Sequence, residues 1–79
     1  MDGNDMKRRS ESVIVQNPEI LSGVPVFRGT RVPFQALLDY LEGGDTLDQF
    51  LEQFPGVSRA NAIAALEEAK ALVLARFSK

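Results

Sequence analysis

Residues 22–33 read SGVPVFRGTRVP, and this stretch decides how the chain enters its helices. It holds two glycines, two prolines and two arginines, and a helical pattern begins directly after it. Glycine readily adopts positive φ, whereas proline fixes φ at about −65°. Such a concentration of special backbone residues predicts that the path of the chain itself is specified here.

Two short strands are predicted around the start of this stretch. Residues 13–15 are three β-branched residues in succession, and residues 24–27 can return against them after a turn at Asn17-Pro18. Pro25 cannot donate to a sheet ladder, so the second strand should be short or lie at an edge. Because a two-stranded unit is only marginally stable, it must pack against the helices or a second subunit.

The first two helices are predicted from apolar residues that recur at i, i+3, i+4 and i+7. The first covers residues 33–42, with Pro33 at the first helical position, where its missing N–H costs nothing. The second covers residues 46–54. Its start is a capping box in which Thr46 and Gln49 satisfy each other's backbone amides.

The third helix is predicted to be capped by Ser58 and to run over residues 60–77. Its predicted apolar stripe consists of Ala62, Ile63, Leu66, Ala69, Val73 and Phe77. Ala65 and Leu72 point to the side of that stripe, so the last turns are apolar nearly all round. We expect a subunit or partner contact there, or else tolerated exposed side chains. The candidate contact residues are Leu72, Val73, Leu74 and Phe77.

Length and composition predict one small globular domain. The chain has 79 residues, 44% of them hydrophobic, and five Phe with one Tyr can form a core. At this size folding buries only somewhat more than about 60% of the surface of the unfolded chain, so a second subunit is expected to complete the core. We predict a mainly α fold: a three-helix, homeodomain-like or helix-turn-helix bundle preceded by a short β-hairpin, forming a homodimer.

Cys and His are both absent, which restricts the chemistry open to the chain. Their absence removes disulfides, thiolate nucleophiles, the commonest general base and the commonest metal ligands. We expect no enzyme, no metal and no cofactor; catalysis through carboxylates and Lys is the alternative. No apolar run approaches the roughly 20 residues of a membrane span, and no signal peptide is recognisable. The expectation is a cytoplasmic protein without a membrane contact.

Residues 1–12 are polar and without periodicity, and they are predicted to form a flexible arm before a single domain at residues 13–79. The basic cluster Lys7-Arg8-Arg9 is either a solvated tail or an electrostatic contact for nucleic acid or an acidic partner. Residues 32–79 carry four basic residues against seven acidic ones. This helical half alone should bind DNA weakly, since phosphate neutralisation provides most non-specific affinity.

The second and third helices are joined by Pro55-Gly56-Val57, as tightly as in a helix-turn-helix. That interpretation places Ser58, Arg59 and Asn61 at the major groove, where Arg and Asn read guanine and adenine edges. A three-helix bundle that binds no nucleic acid has the same periodicity. Both interpretations stay open on these residues.

Other charged residues also allow two interpretations. Arg28 and Arg31 flank a Gly-Thr pair. In the structural interpretation, Arg31 ties the turn to a carboxylate or to exposed carbonyls. In the functional interpretation, the arginines contact phosphate or a partner, which makes Arg28 and Arg31 candidate DNA contacts. Glu67 and Glu68 are adjacent in a helix and point in different directions, so we expect them to be solvated.

One motif precedes the first helix: Gly23-x-Pro25-x-x-x-Gly29-Thr30-Arg31-Val32-Pro33. Together with the run LLDYLEGGDTLDQFLEQFPGVSRANAIAALE that follows, it closely resembles the DUF433 family of small prokaryotic proteins. The resemblance covers roughly residues 13–70, so the basic cluster and the chain end lie outside it. It implies a homeodomain-like three-helix bundle with a short N-terminal β element. It also implies an antitoxin of a type II toxin-antitoxin pair, whose toxin is often a PIN-like nuclease.

Two functional hypotheses follow. The first, which rests on the resemblance, is an antitoxin that binds and neutralises a PIN-like toxin as a homodimer and also binds its own operator DNA. The second is a stand-alone DNA-binding transcriptional regulator that uses Ser58, Arg59 and Asn61 with the basic arm. Binding by such a regulator should weaken steeply as salt rises.

Overall fold

A computed structural model describes residues 12–77 of the chain, so the basic cluster at residues 7–9 lies outside the described residues. Its elements are β1 (Ile14–Val15), a 3-10 turn (Leu21–Gly23), β2 (Val26–Phe27), α1 (Phe34–Glu42), α2 (Leu47–Gln53) and α3 (Arg59–Phe77). The predicted fold is confirmed: it is mainly helical, with three helices after a short antiparallel strand pair.

The two strands pair antiparallel, with Ile14 opposite Phe27 and Val15 opposite Val26. Each is shorter than predicted. β2 begins only after Pro25, which has no N–H to donate, and the Pro25 carbonyl instead accepts from the backbone N–H of Phe34 at 3.0 Å. Both residues of β2 are fully buried, so the pair is stabilised by packing on the helices, as its small size requires.

The chain reverses after β2 in a turn that its own residues close. Gly29 has φ +80°, a value that favours glycine. The Thr30 hydroxyl donates to the carbonyl of Phe27 at 2.8 Å and accepts from the N–H of Val32 at 3.0 Å. The N–H of Phe27 donates to the carbonyl of Val32 at 2.9 Å. Residues 27–32 therefore specify the path that delivers the chain to α1.

We expect Gly29→Ala to lower the free energy of unfolding by about 1 kcal/mol, because alanine is strained at positive φ. An added Cβ at Gly29 would meet no atom within 4 Å, so any loss of stability comes from backbone strain and not from a steric clash. The matched control is Gly56→Ala: Gly56 has no positive φ, and an added Cβ would meet only the Thr30 methyl at 3.8 Å. Urea unfolding of both variants is the measurement, and equal stabilities would contradict the assignment.

The helix starts agree with the predicted caps in two of three cases. In α2 the Gln49 N–H donates to the Thr46 hydroxyl at 3.1 Å, and the Thr46 N–H donates to Gln49 Oε1 at 2.7 Å, which is the predicted capping box. Ser58 Oγ accepts from the N–H of Asn61 at 3.0 Å and caps α3. Pro33 differs: its ψ is 143°, so it is the cap before α1 and not its first residue. The cause is its bridge to Val26, which keeps Pro33 extended.

The core lies where β2 meets the helices. Its buried residues are Phe27, Leu37, Phe50, Val57, Ala62 and Ala65. Phe50 connects the layers, since its ring centroid lies 6.3 Å from that of Phe27, 5.6 Å from that of Tyr40 and 4.9 Å from that of Phe54. This spacing is typical of packed aromatic pairs.

The predicted apolar stripe of α3 is confirmed at Ala62, which is buried, and at Leu66, which packs against the core, but it is wrong at two other positions. Ala65, expected at the side, is buried, whereas Ile63, expected in the stripe, is 42% exposed. The core-facing side is centred on small residues, Ala62 and Ala65, because they let the helix backbone approach the aromatic rings closely. Hydrophobicity alone favoured the larger Ile63, and only the neighbouring elements decide which side is covered.

Candidate functional site

The last two turns of α3, residues 70–77, are exposed on every side, and we call them the α3 overhang. The overhang carries four large apolar side chains. Their exposed fractions are 69% for Leu72, 54% for Val73, 60% for Leu74 and 76% for Phe77. Exposed apolar side chains at this density mark candidate sites of protein interaction. All four residues predicted as a partner contact are thus exposed on one helical segment.

The overhang has two sides with different surroundings. Leu72 lies one turn after Glu68 and one turn before Arg76, so these three residues form one ridge along α3. Leu74, two residues after Leu72, lies on nearly the opposite side of the helix. Two different contacts are therefore possible on one segment.

An apolar groove of about 400 Å³ runs between β1 and α3, and we call it the β1–α3 groove. Its lining residues are Ser12, Ile14, Val15, Gln16, Pro25, Phe34, Ala65, Glu68, Ala69 and Leu72. The groove is continuous with the overhang, since Leu72 belongs to both. No local sequence pattern indicates this groove, because it is formed by a strand and a helix that are more than forty residues apart in the chain.

Glu68 is not solvated as predicted; it is half-buried at the groove. The Ser12 hydroxyl donates to Glu68 Oε1 at 2.7 Å and accepts from the N–H of Ile14 at 2.9 Å. This contact joins the start of the described chain to the middle of α3. The sequence predicted that β1 pairs with β2, and this pairing helps to place Ser12, but it did not predict the contact between Ser12 and Glu68.

Of the predicted DNA contacts, Ser58, Arg59 and Asn61 lie together at the start of α3. Two of these side chains already have a structural partner: Ser58 accepts from the backbone N–H of Asn61, and Arg59 forms an ion pair with Asp48 in the first turn of α2. The two side chains of that ion pair are 57% and 69% exposed, so it contributes little to stability and can open to a ligand.

Arg28 and Arg31 lie on the turn after β2. Arg28, rather than Arg31, ties the chain to a carbonyl: its Nε and Nη2 donate to the carbonyl of Ser12 at 3.2 and 2.6 Å. Arg31 is exposed, and within residues 12–77 it makes no hydrogen bond or ion pair. This turn lies beside the loop between α2 and α3, since a Cβ on Gly56 would be 3.8 Å from the Thr30 methyl.

The described residues contain no cluster of three or more Asp and Glu side chains that could hold a metal ion. No charged or polar residue is buried among residues 12–77, so this part of the chain has no enclosed acid or base. None of its helices is both long and apolar enough to cross a membrane.

The fold and its surfaces define a class: small, mainly helical domains in which a two-stranded antiparallel element leads into three helices. Residues 14–69 match the family described as "Protein of unknown function (DUF433)", and the chain belongs to the DUF433 family, as its motif indicated. The groove lies almost wholly within the matched residues, whereas the overhang lies beyond them.

Two further similarities agree with this membership. The crystal structure of a DUF433 member protein from Anabaena variabilis ATCC 29413 superimposes with a TM-score of 0.67 at 21% identity, covering 89% of this chain and 69% of that one. "Uncharacterized protein y4eO" of Sinorhizobium fredii (strain NBRC 101917 / NGR234) is 33% identical over 48 residues, or 61% of this chain. The match spans only 22% of that relative's length.

Proposed function

We propose that this chain is an antitoxin of a type II toxin-antitoxin pair, a non-catalytic protein that binds and neutralises a PIN-like nuclease toxin as a homodimer. The observation that carries the proposal is the α3 overhang, whose four large apolar side chains meet no other described residue of the core. An amphipathic helix that lays its apolar side chains into a partner's groove is a recurring mode of protein recognition.

Charge supports the choice of partner. Residues 32–79, which contain all three helices, carry seven acidic residues against four basic ones. A nuclease must attract phosphate and therefore presents basic surface. An acidic helical domain with an apolar end complements such a surface, and its charges would speed association.

The test is co-expression of the chain with the product of the neighbouring gene, which the proposal takes to be a PIN-like nuclease, scored by growth and by recovery of the complex. We expect the wild-type chain to restore growth. The double variant Leu74→Glu with Phe77→Glu should weaken the complex by on the order of a hundredfold or more, because burying each apolar side chain is worth about 1.5–3 kcal/mol.

The matched control is Val24→Glu, which alters an exposed apolar residue outside α3, 39% exposed, and should leave neutralisation unchanged. Circular dichroism verifies that all variants fold. If the wild-type chain neither forms a complex nor restores growth, the antitoxin proposal is wrong.

Operator binding, or a stand-alone DNA-binding regulator, is the second candidate. The observation that favours it is that the turn bearing Arg28 and Arg31 lies beside the loop that leads into α3, and Arg59 at the start of that helix is exposed. Such a protein should bind duplex DNA with an affinity that falls steeply between low and high salt, and Arg59→Ala should reduce both the affinity and the salt slope. Binding that is absent, or insensitive to salt, removes this candidate.

A further inference from the structure

The charges on the ridge of α3 have an arrangement that suits a second copy of the same helix. Glu68 lies four residues before Leu72, and Arg76 lies four residues after it. When two such helices cross antiparallel about a two-fold axis at Leu72, Glu68 of each copy faces Arg76 of the other. A parallel crossing would instead place like charges together, which is unfavourable.

We infer that two copies of this chain associate through α3, antiparallel about Leu72, so that the overhang of each copy covers the β1–α3 groove of the other. The inference deepens the proposed homodimer by naming its interface, and it does not depend on a toxin. Such an interface uses the same surface on both copies and therefore closes at two subunits.

The lengths of the two surfaces agree. At about 1.5 Å per residue, the α3 side of the groove extends roughly 10 Å from Ala65 to Leu72. The overhang extends roughly 8 Å from Leu72 to Phe77. In the antiparallel arrangement each overhang therefore runs along most of the opposite groove, because position 76 of one helix meets position 68 of the other.

The lining of the groove suits an apolar helix. The groove is lined opposite α3 by the apolar residues Ile14, Val15, Pro25 and Phe34. On α3 it is lined by Ala65 and Ala69, whose small side chains allow a second helix to approach closely. Its polar groups are few, and Glu68 is already oriented by Ser12 at 2.7 Å. Leu72, exposed in one copy, would be buried between the two ridges.

The test is sedimentation velocity of the full chain at concentrations on the order of 1–100 μM, without any toxin. The wild type should show a monomer–dimer equilibrium. Leu72→Glu should weaken the dimer by on the order of a hundredfold, since a buried apolar pair is lost. Glu68→Arg and Arg76→Glu should each weaken it by about tenfold, and the double variant should restore it, because the charges are exchanged symmetrically.

Two controls isolate the interface. Leu74→Glu places the same charge on the opposite side of the overhang and should leave the dimer unchanged. Ser12→Ala removes the hydrogen bonds of the Ser12 hydroxyl to Glu68 and to the N–H of Ile14 but keeps the charge of Glu68, which separates loss of those contacts from loss of the ion pair. Circular dichroism confirms that each variant is folded.

Three outcomes would overturn the inference. One is a wild-type chain that stays monomeric over the whole concentration range. The second is a double variant, Glu68→Arg with Arg76→Glu, that dimerises no more tightly than either single variant. The third is an equal loss of dimer affinity in Leu72→Glu and Leu74→Glu. A monomer that binds a fluorescent apolar probe in the groove would assign the groove to a small ligand. A monomeric wild type would also remove the homodimer from the proposed function, whereas neutralisation of the toxin is tested separately with the toxin present.

Discussion

Phe50→Ala is expected to destabilise the protein by about 3–5 kcal/mol. Phe50 is fully buried, and its ring packs against a residue of β2, a residue of α1 and the residue that caps the end of its own helix. Alanine would leave a cavity at the point where these elements meet. For a domain of this size, a loss of 4 kcal/mol corresponds to a decrease in Tm of roughly 15–30 °C.

The measurement is equilibrium unfolding in urea, followed by far-ultraviolet circular dichroism. The control is Phe77→Ala, the same substitution at a side chain that is 76% exposed. It should change the free energy of unfolding by no more than about 0.5 kcal/mol at a concentration where the chain is monomeric. Comparable losses in the two variants would contradict the assignment of the core.

Ala62→Leu should cost about 1–3 kcal/mol, because it inserts three carbon atoms into a site that has no free space. Ala62 is fully buried and does not line the groove, so the larger side chain has no adjacent cavity to enter. The substitution tests the packed side of α3, on which Ala62 was predicted from the sequence and Ala65 was not.

The control for this second substitution is Ala71→Leu, at an exposed position of the same helix. Alanine and leucine have nearly equal helix propensities, so the control should be within about 0.5 kcal/mol of wild type. The measurement is thermal unfolding of both variants under identical conditions, which compares their losses of stability. If Ala71→Leu were the more destabilising of the two, α3 would pack through a different side.

Local signals in the sequence were reliable where the physical cause is also local. The capping box of Thr46 and Gln49, the cap at Ser58 and the turn at Gly29 each depend on residues within three or four positions, and all are present. The strand pair was predicted in its correct order and direction. Its shortness follows from Pro25, which was itself a sequence signal.

The candidate site was predictable only in part. The surplus of apolar residues at the end of α3 identified Leu72, Val73, Leu74 and Phe77, because no small bundle can cover a helix that is apolar all round. The groove was not predictable, since it is formed by β1 and α3 from opposite ends of the chain. The partners of Arg28 and Glu68 were missed for the same reason.

The sequence by itself determined the order of the elements, the turns between them and the family of the chain, because caps, glycines, prolines and short-range periodicity act over a few residues. Only the tertiary structure decided which side of α3 is buried, where that helix leaves the core, and that Ser12 and Glu68 meet beside a groove. These depend on the shapes of elements distant in the chain: small Ala62 and Ala65 pack where Phe27 and Phe50 already fill the core, which leaves the larger Ile63 at the surface.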